Sequence, residues 1–448
     1  MKKTQKSSLG KRLGVIVLSL LLIFISTSLF SCINPKPMPP KEELYQTLEN
    51  VDGEASYSSV SAYLNRWGFR GYYSYKLSWV ESCFNSYFYE ELPSTYETAL
   101  TVAYDFLDNY YDTVNLENTS EVTTAIIDCY VAAFNDDYAV YRSPEEYVEY
   151  NDDMSGEFCG IGVSIEYNYV NETMLITAVM KDSPAEAAGF LSGDYIIGVD
   201  GVSIDTLGLE GTANAIKGEE GTNVSVTVLR NGEQITLTAT RAKITEQSVY
   251  YEMLDDGIAY IQITQFKLNT DEQFGEALAA IEDAGALGVI FDLRSNPGGY
   301  LESVTNMIEY LVPANVTIAS YTGRAYPTEY KKSVRDDALD IPCVVLCNEY
   351  SASAAELFTS AVRDYGEMGL LDEVIVGTKT FGKGIMQGTV EDRLDHSSIT
   401  MTIAYYNPPL GKNFHGEGII PDRQIENSGN TDEQFNTALL EILAKTAT

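Results

Sequence analysis

Three short apolar runs in the C-terminal half, each leading through a turn, constrain the fold of this chain most tightly. Gly288-Val289-Ile290-Phe291-Asp292-Leu293 turns through Arg294-Ser295-Asn296-Pro297-Gly298-Gly299, after which Leu301, Val304, Ile308 and Leu311 recur at helical spacing. Pro342-Cys343-Val344-Val345-Leu346-Cys347 turns through Asn348-Glu349-Tyr350 into a helix whose inward face is Ala354, Leu357, Phe358, Ala361 and Val362. The third run, Glu373-Val374-Ile375-Val376-Gly377, leads to Lys383. Alternating strand and helix patterns are the mark of an α/β layer structure. Residues after the C-terminal ends of such strands can converge in one crevice, so the three turns are where chemistry is expected.

Upstream the texture differs. Residues 43–152 are rich in tyrosine and read as helical. Ser94-Thr95-Tyr96-Glu97 has the form of a capping box. Behind it Ala99, Leu100, Ala103, Phe106, Leu107 and Tyr110 keep helical spacing, as do Val122, Ile126, Cys129, Tyr130 and Ala133. These tyrosines read as packing. Residues 153–245 read as short strands and glycine turns. Val224 to Leu229 and Ile235 to Thr238 alternate on either side of Asn231-Gly232, a strong hairpin signal. Ser183-Pro184-Ala185-Glu186-Ala187-Ala188-Gly189 reads as a short capped helix ending in glycine. With Gly160-Ile161-Gly162-Val163 and the turn Asp200-Gly201, this stretch resembles a PDZ domain. The resemblance implies that the loop at Gly160, Ile161, Gly162 and Val163 presents backbone N–H groups to the carboxylate of a peptide with an apolar C-terminus. The fold class expected is multidomain α+β: a helical N-terminal region, a PDZ β-domain and an α/β core over residues 246–448.

The first residues read as an export signal over residues 1–31. Lys2, Lys3, Lys6, Lys11 and Arg12 precede an apolar run from Leu13 to Phe30. Leu29-Phe30-Ser31-Cys32 resembles a bacterial lipobox, with Cys32 as the lipid anchor of an envelope lipoprotein. The rival is an uncleaved transmembrane anchor. Residues 32–42 form a proline-rich tether. Either anchor puts the remainder outside the cytoplasm. A net charge of −36 argues against nucleic acid as a partner, because phosphates would be repelled. The five further cysteines, Cys83, Cys129, Cys159, Cys343 and Cys347, are not a disulfide framework, and Cys343 and Cys347 read as buried. No Cys/His spacing suits zinc, so neither metal nor cofactor is expected.

A serine hydroxyl needs a neighbour that removes its proton. The chain has only His396 and His415, which makes a Ser-Lys pair the leading arrangement. Ser353 stands where loop becomes helix, so the Ala354 amide can face a developing oxyanion there. Gly298 or Gly299 can supply the second donor. Ser351 reads as a plain helix cap, and Asp292 and Arg294 as braces of their turn. Lys383, beside Phe381, Ile385 and Met386, is the candidate base, its pKa lowered by burial. Gln387 can hold its amine.

Taken in order, residues 292–299, 351–356 and 380–387 closely resemble the carboxyl-terminal processing peptidases, or tail-specific serine proteases. The likeness takes in Asp136-Asp137-Tyr138-Ala139-Val140-Tyr141, Ser143-Pro144-Glu145-Glu146-Tyr147 and Gly416-Glu417-Gly418-Ile419-Ile420-Pro421-Asp422. It implies a ClpP/crotonase-like core, Ser353 as nucleophile, Lys383 as base, Gln387 as its orienter, and a PDZ domain that gates the site. Substrates would be proteins or peptides, with an adaptor or a homo-oligomer as further partners. The other class of function open to such a chain is a non-catalytic PDZ scaffold. Ser353 and Lys383 are 30 positions apart, longer than the family's usual interval, with the excess at residues 367–372. Tyr350 stands where glycine is common and narrows the expected entrance, and Ala355 where serine is frequent.

Overall fold

The computed structural model describes residues 38–51, 58–69, 74–168, 173–336, 338–429 and 431–447. The expected export signal, Cys32 and most of the tether lie outside them. The chain forms two compact units, one of residues 1–147, 322–328 and 386–405, the other of 148–321, 329–385 and 406–448.

The first unit is built on helices Lys41–Glu49, Val60–Arg66, Ser74–Tyr87, Thr95–Asp105 and Thr119–Ala132. The Ser94 hydroxyl caps Thr95–Asp105 by accepting from the Glu97 amide at 3.3 Å. The Glu97 carboxylate returns to that hydroxyl (2.9 Å), a variation on the expected box. Tyrosines do pack: Tyr63 and Tyr130 are buried with Trp67, Phe84 and Phe106, and the Phe84 and Phe134 rings stack at 4.3 Å. Residues 386–405, read from sequence as part of the core, complete this unit instead. Val140–Arg142 pairs antiparallel with residues 398–400, and Ile399 and Met401 join the aromatic core. The Asp136 carboxylate receives the amide and hydroxyl of Thr402, at 2.8 and 2.9 Å. The motif at Asp136 thus anchors a returning strand.

In the second unit the PDZ-like sheet runs Val163–Asn168, Thr173–Val179, Tyr195–Val199, Asn223–Arg230, Glu233–Thr240 in spatial order. Asn231 and Gly232 both have positive φ (51° and 85°), as a type I′ turn requires, and Arg230 pairs with Glu233. Pro184–Ala188 is capped by the Ser183 hydroxyl and ends on left-handed Gly189. Each of these features matches the sequence reading.

The core sheet orders its strands Val249–Met253, Ile258–Ile263, Gly288–Asp292, Cys343–Cys347, Glu373–Gly377, Arg423–Gln424. All neighbours after the antiparallel first pair are parallel. Gly288–Asp292 and Cys343–Cys347 are buried at every position, because helices cover both faces. Helix Glu433–Thr446 sets Ala438 and Ile442 against Ile290, Val344 and Leu346. On the other face Phe291 meets Phe274 and Phe358 at ring separations of 5.7 and 5.5 Å. The three apolar runs are therefore adjacent strands whose turns open on one edge.

One acid sits awkwardly in this layer. Glu373 has its Oε2 buried without a hydrogen-bond partner among the described residues. Burial, then the charge of Asp422, push its carboxyl up from 4.5 to about 7, against the pull of Arg363 and Lys445. A folded pKa above the unfolded one means the native state holds its proton longer. This contribution to stability is present below pH 4.5 and is lost as pH rises through 7. Glu373→Gln should therefore raise stability at pH 8 by about 1–2 kcal/mol, allowing for solvent screening, and leave it unchanged at pH 4. Urea unfolding at the two pH values measures this; an equal effect at both would rule out the titration.

Candidate active site

Strand Cys343–Cys347 ends in a turn stitched to its neighbour. The Asn348 side-chain oxygen accepts from the amides of Ser295 (2.8 Å) and Tyr350 (3.1 Å). Ser351, fully buried, accepts from the Asn348 amide at 2.9 Å and donates to the Leu293 carbonyl at 2.8 Å. It ties two strand ends together, so the plain helix cap expected of it is not what it makes. The Ala352 amide then reaches the Asn296 carbonyl at 2.9 Å.

Ser353 follows with φ +56°, ψ −115°, directly before helix Ala354–Glu367. A non-glycine residue in that region is strained by roughly 1–3 kcal/mol and persists only where its surroundings fix it. Ser353 and Glu356 stand in capping-box relation at the helix start, where the Glu356 Oε2 accepts from the Ser353 amide at 3.0 Å.

Glu356 is also what brings in the lysine loop. Its Oε1 accepts from the Thr380 hydroxyl (2.6 Å) and the Gly382 amide (2.7 Å). Its Oε2 accepts from the Ser353 and Lys383 amides at 3.0 and 2.7 Å, so those nitrogens are no farther apart than the sum, 5.7 Å. Burial pushes the carboxyl above its ordinary value, and these four hydrogen bonds pull it back. Glu356 falls within residues 351–356 but carries no role legible in the sequence. The available signal was its place three residues after a serine at a helix start, the capping-box spacing.

The lysine loop has a second brace. Thr380 and Ile419 exchange two hydrogen bonds, Gly416 N–H meets the Gly382 carbonyl at 2.9 Å, and the Tyr406 hydroxyl donates to the Lys383 carbonyl at 2.6 Å. At Gly418 a Cβ would lie 2.4 Å from the Thr380 carbonyl oxygen, so the strands of backbone touch. That accounts for the glycine motif near the C-terminus.

The paired glycines differ. Gly298 lies against the serine: a Cβ there would be 2.7 Å from Ser353 Cβ and 3.0 Å from the Ala354 amide. Its own amide already donates to Asn296 Oδ1 at 2.8 Å. The amides of Gly299 and Ala354 donate to no other group among the described residues. Asp292 and Arg294 brace their turn, as expected. Arg294 grips Asp292 at 2.6 Å and Asp432 at 2.7 Å, and Tyr260 donates its hydroxyl to Asp292 at 2.7 Å. Gln387 belongs to the first unit, where its amide nitrogen donates to the Tyr138 carbonyl at 2.6 Å. In the PDZ-like loop the carbonyls of Ile161 and Gly162 are held by the Ala185 and Met180 amides at 2.8 and 3.0 Å. Gly160 closes strand Glu157–Gly160, and Val163 opens the next. Among the described residues no cluster of acids, histidines and cysteines suits a metal ion.

Residues 257–425 match the model of peptidase family S41, and residues 175–230 match a PDZ domain. That match sets residues 257–425 beside the peptidases of family S41. The "probable CtpA-like serine protease" of Staphylococcus haemolyticus is 35% identical over 326 residues, covering 72% of this chain and 63% of the relative. That of Staphylococcus aureus (strain MRSA252) is 32% identical over 328 residues, 71% of this chain and 64% of the relative. The chain thus spans a little under two thirds of the curated relatives it matches. A solved structure of the photosystem II D1 C-terminal processing protease aligns with TM-score 0.45 and 22% identity, over 77% of this chain and 91% of that one. The S41 match agrees with the resemblance read from the three turn motifs.

Glu356→Gln would turn an NH₂ group toward N–H donors and leave at least one buried donor unsatisfied. Stability should fall by about 2–4 kcal/mol, and amide hydrogen exchange at Ser353, Gly382 and Lys383 should quicken. A loss under about 1 kcal/mol would mean that the C-terminal brace alone holds the loop.

Proposed function

We propose that this chain is a serine endopeptidase that cleaves proteins near their C-termini with Ser353 and Lys383. The observation that carries the reading is the shared carboxylate of Glu356, one oxygen of which accepts from the backbone of both residues. In this reading the neutral Lys383 amine takes the Ser353 hydroxyl proton as Oγ attacks the scissile carbonyl carbon. The carbonyl π pair moves onto oxygen, where the Gly299 and Ala354 amides receive it. Collapse breaks the C–N bond, and Lys383 returns the proton to the leaving amine. Water then attacks the acyl ester, its proton passing through Lys383 to Ser353. Gln387 is assigned to orient the amine. Gly298, whose amide is engaged by Asn296, serves by giving the serine room.

The PDZ domain is assigned to hold an apolar substrate tail by its terminal carboxylate at Gly160, Ile161, Gly162 and Val163. The basic and apolar leader ending at Cys32 supports tethering outside the cytoplasm, by lipid or by an uncleaved helix. Protein tails reaching that compartment are the substrate class.

Ser353→Ala and Lys383→Ala should each lower β-casein hydrolysis by at least about 10³-fold with folding intact. Unaltered cleavage in either variant, followed by gel and circular dichroism, removes the dyad. For wild type, kcat/KM should climb with pH as the Lys383 amine loses its proton; a flat profile from pH 6 to 9 counts against it as base.

A further inference from the structure

The PDZ module leaves and rejoins the core through a two-stranded ribbon, Glu157–Gly160 paired with Ala242–Thr245. Both ends of this ribbon are fastened to one core segment, residues 264–270. The Lys267 ammonium, only 2% exposed, takes the Glu246 carboxylate (2.6 Å) just after the ribbon and Asp153 (3.2 Å) just before it. Around it the Leu268 amide donates to the Met154 carbonyl at 3.2 Å, and the Asn269 side chain to the Gly156 carbonyl at 3.2 Å. Gly156, at φ +71°, has no room for a side chain, since a Cβ would lie 2.4 Å from Asn269 Oδ1. A buried ammonium depends on its carboxylates, so the stem and the segment are held in one geometry.

The same segment holds the paired glycines. Phe266, the residue before Lys267 and fully buried, donates its amide to the Gly298 carbonyl at 2.9 Å. Its carbonyl accepts from the Tyr300 amide at 2.7 Å. Gly299 lies between those two bonds, so close that a Cβ would sit 2.0 Å from the Phe266 carbonyl oxygen. The backbone that fixes Gly299 and the ammonium that fixes the PDZ stem therefore belong to adjacent residues, Phe266 and Lys267.

We infer that Lys267 is a positioning residue: by locking the PDZ stem to the Phe266 backbone it sets the Gly299 amide and thereby the rate of chemistry at Ser353. The inference rests on the reading of Ser353 as nucleophile and the Gly299 amide as oxyanion donor. A displaced donor weakens transition-state binding and leaves ground-state binding untouched. The effect falls on kcat, whereas a clamp that only holds the fold together would change melting temperature alone.

The experiment compares the full chain with Lys267→Arg, Lys267→Met and Ser353→Ala on β-casein and on p-nitrophenyl acetate, an ester with no tail for the PDZ domain. Lys267→Met should lower kcat about tenfold or more on both, with KM within about twofold, because loss of one oxyanion donor costs more than that. Lys267→Arg, which keeps the charge, should restore kcat to within about threefold of wild type. A folded Lys267→Met protein with unchanged kcat overturns the inference while Ser353→Ala remains inactive. If Ser353→Ala is as active as wild type, the serine reading fails and this inference with it. Should Lys267→Met not fold, Glu246→Gln decides, since its carboxylate is 41% exposed. A threefold or greater fall in kcat supports the positioning role, and an unchanged kcat overturns it.

Discussion

A single buried carboxylate, that of Glu356, is the interaction on which the candidate site depends. Removing an anion from water is costly unless hydrogen bonds replace its hydration. Here the replacement is complete enough to hold two loops: one hydroxyl and three amides converge on its two oxygens. The start of a helix is a favourable place for such a charge, because unpaired N–H groups and the dipole both point at it. The same group therefore caps the helix, fixes a strained serine and draws in the lysine loop.

Around that centre the packing is of backbone against backbone. Gly298 abuts the serine, Gly299 the Phe266 carbonyl, and Gly418 the Thr380 carbonyl, each at a separation that excludes a Cβ. Backbone contacts of this kind leave little slack, which suits a site whose function requires amides at set positions. Ser351, Asn296 and Asn348 extend the principle by joining the ends of neighbouring strands through side-chain hydrogen bonds. The strain at Ser353 is sustained by these surroundings.

The PDZ module enters the same fabric at its stem. Its ribbon is fastened to Lys267 and the glycine pair to Phe266, so one short segment, residues 264–270, holds both. A domain joined in this way can influence the backbone at Gly299 without touching Ser353.

The elements and their order could be read from local pattern alone. The apolar runs at 288–293, 342–347 and 373–377 were legible because strands buried on both faces need no polar alternation. The Asn231-Gly232 turn was legible because two successive positive φ angles nearly demand those residues. Ser353 and Lys383 were visible through glycine and small-residue punctuation. How separated segments meet came instead from three-dimensional packing. Glu356 had no role legible in sequence, and its reach to residues 380–383 depends on two turns from different strands being brought together. Ser351 looked like a cap and proved a strand tie. Residues 386–405 followed the core in sequence yet packed with the N-terminal helices, since strand pairing with residues 140–142 and burial of Ile399 and Met401 depend on long-range partners that local patterning does not encode.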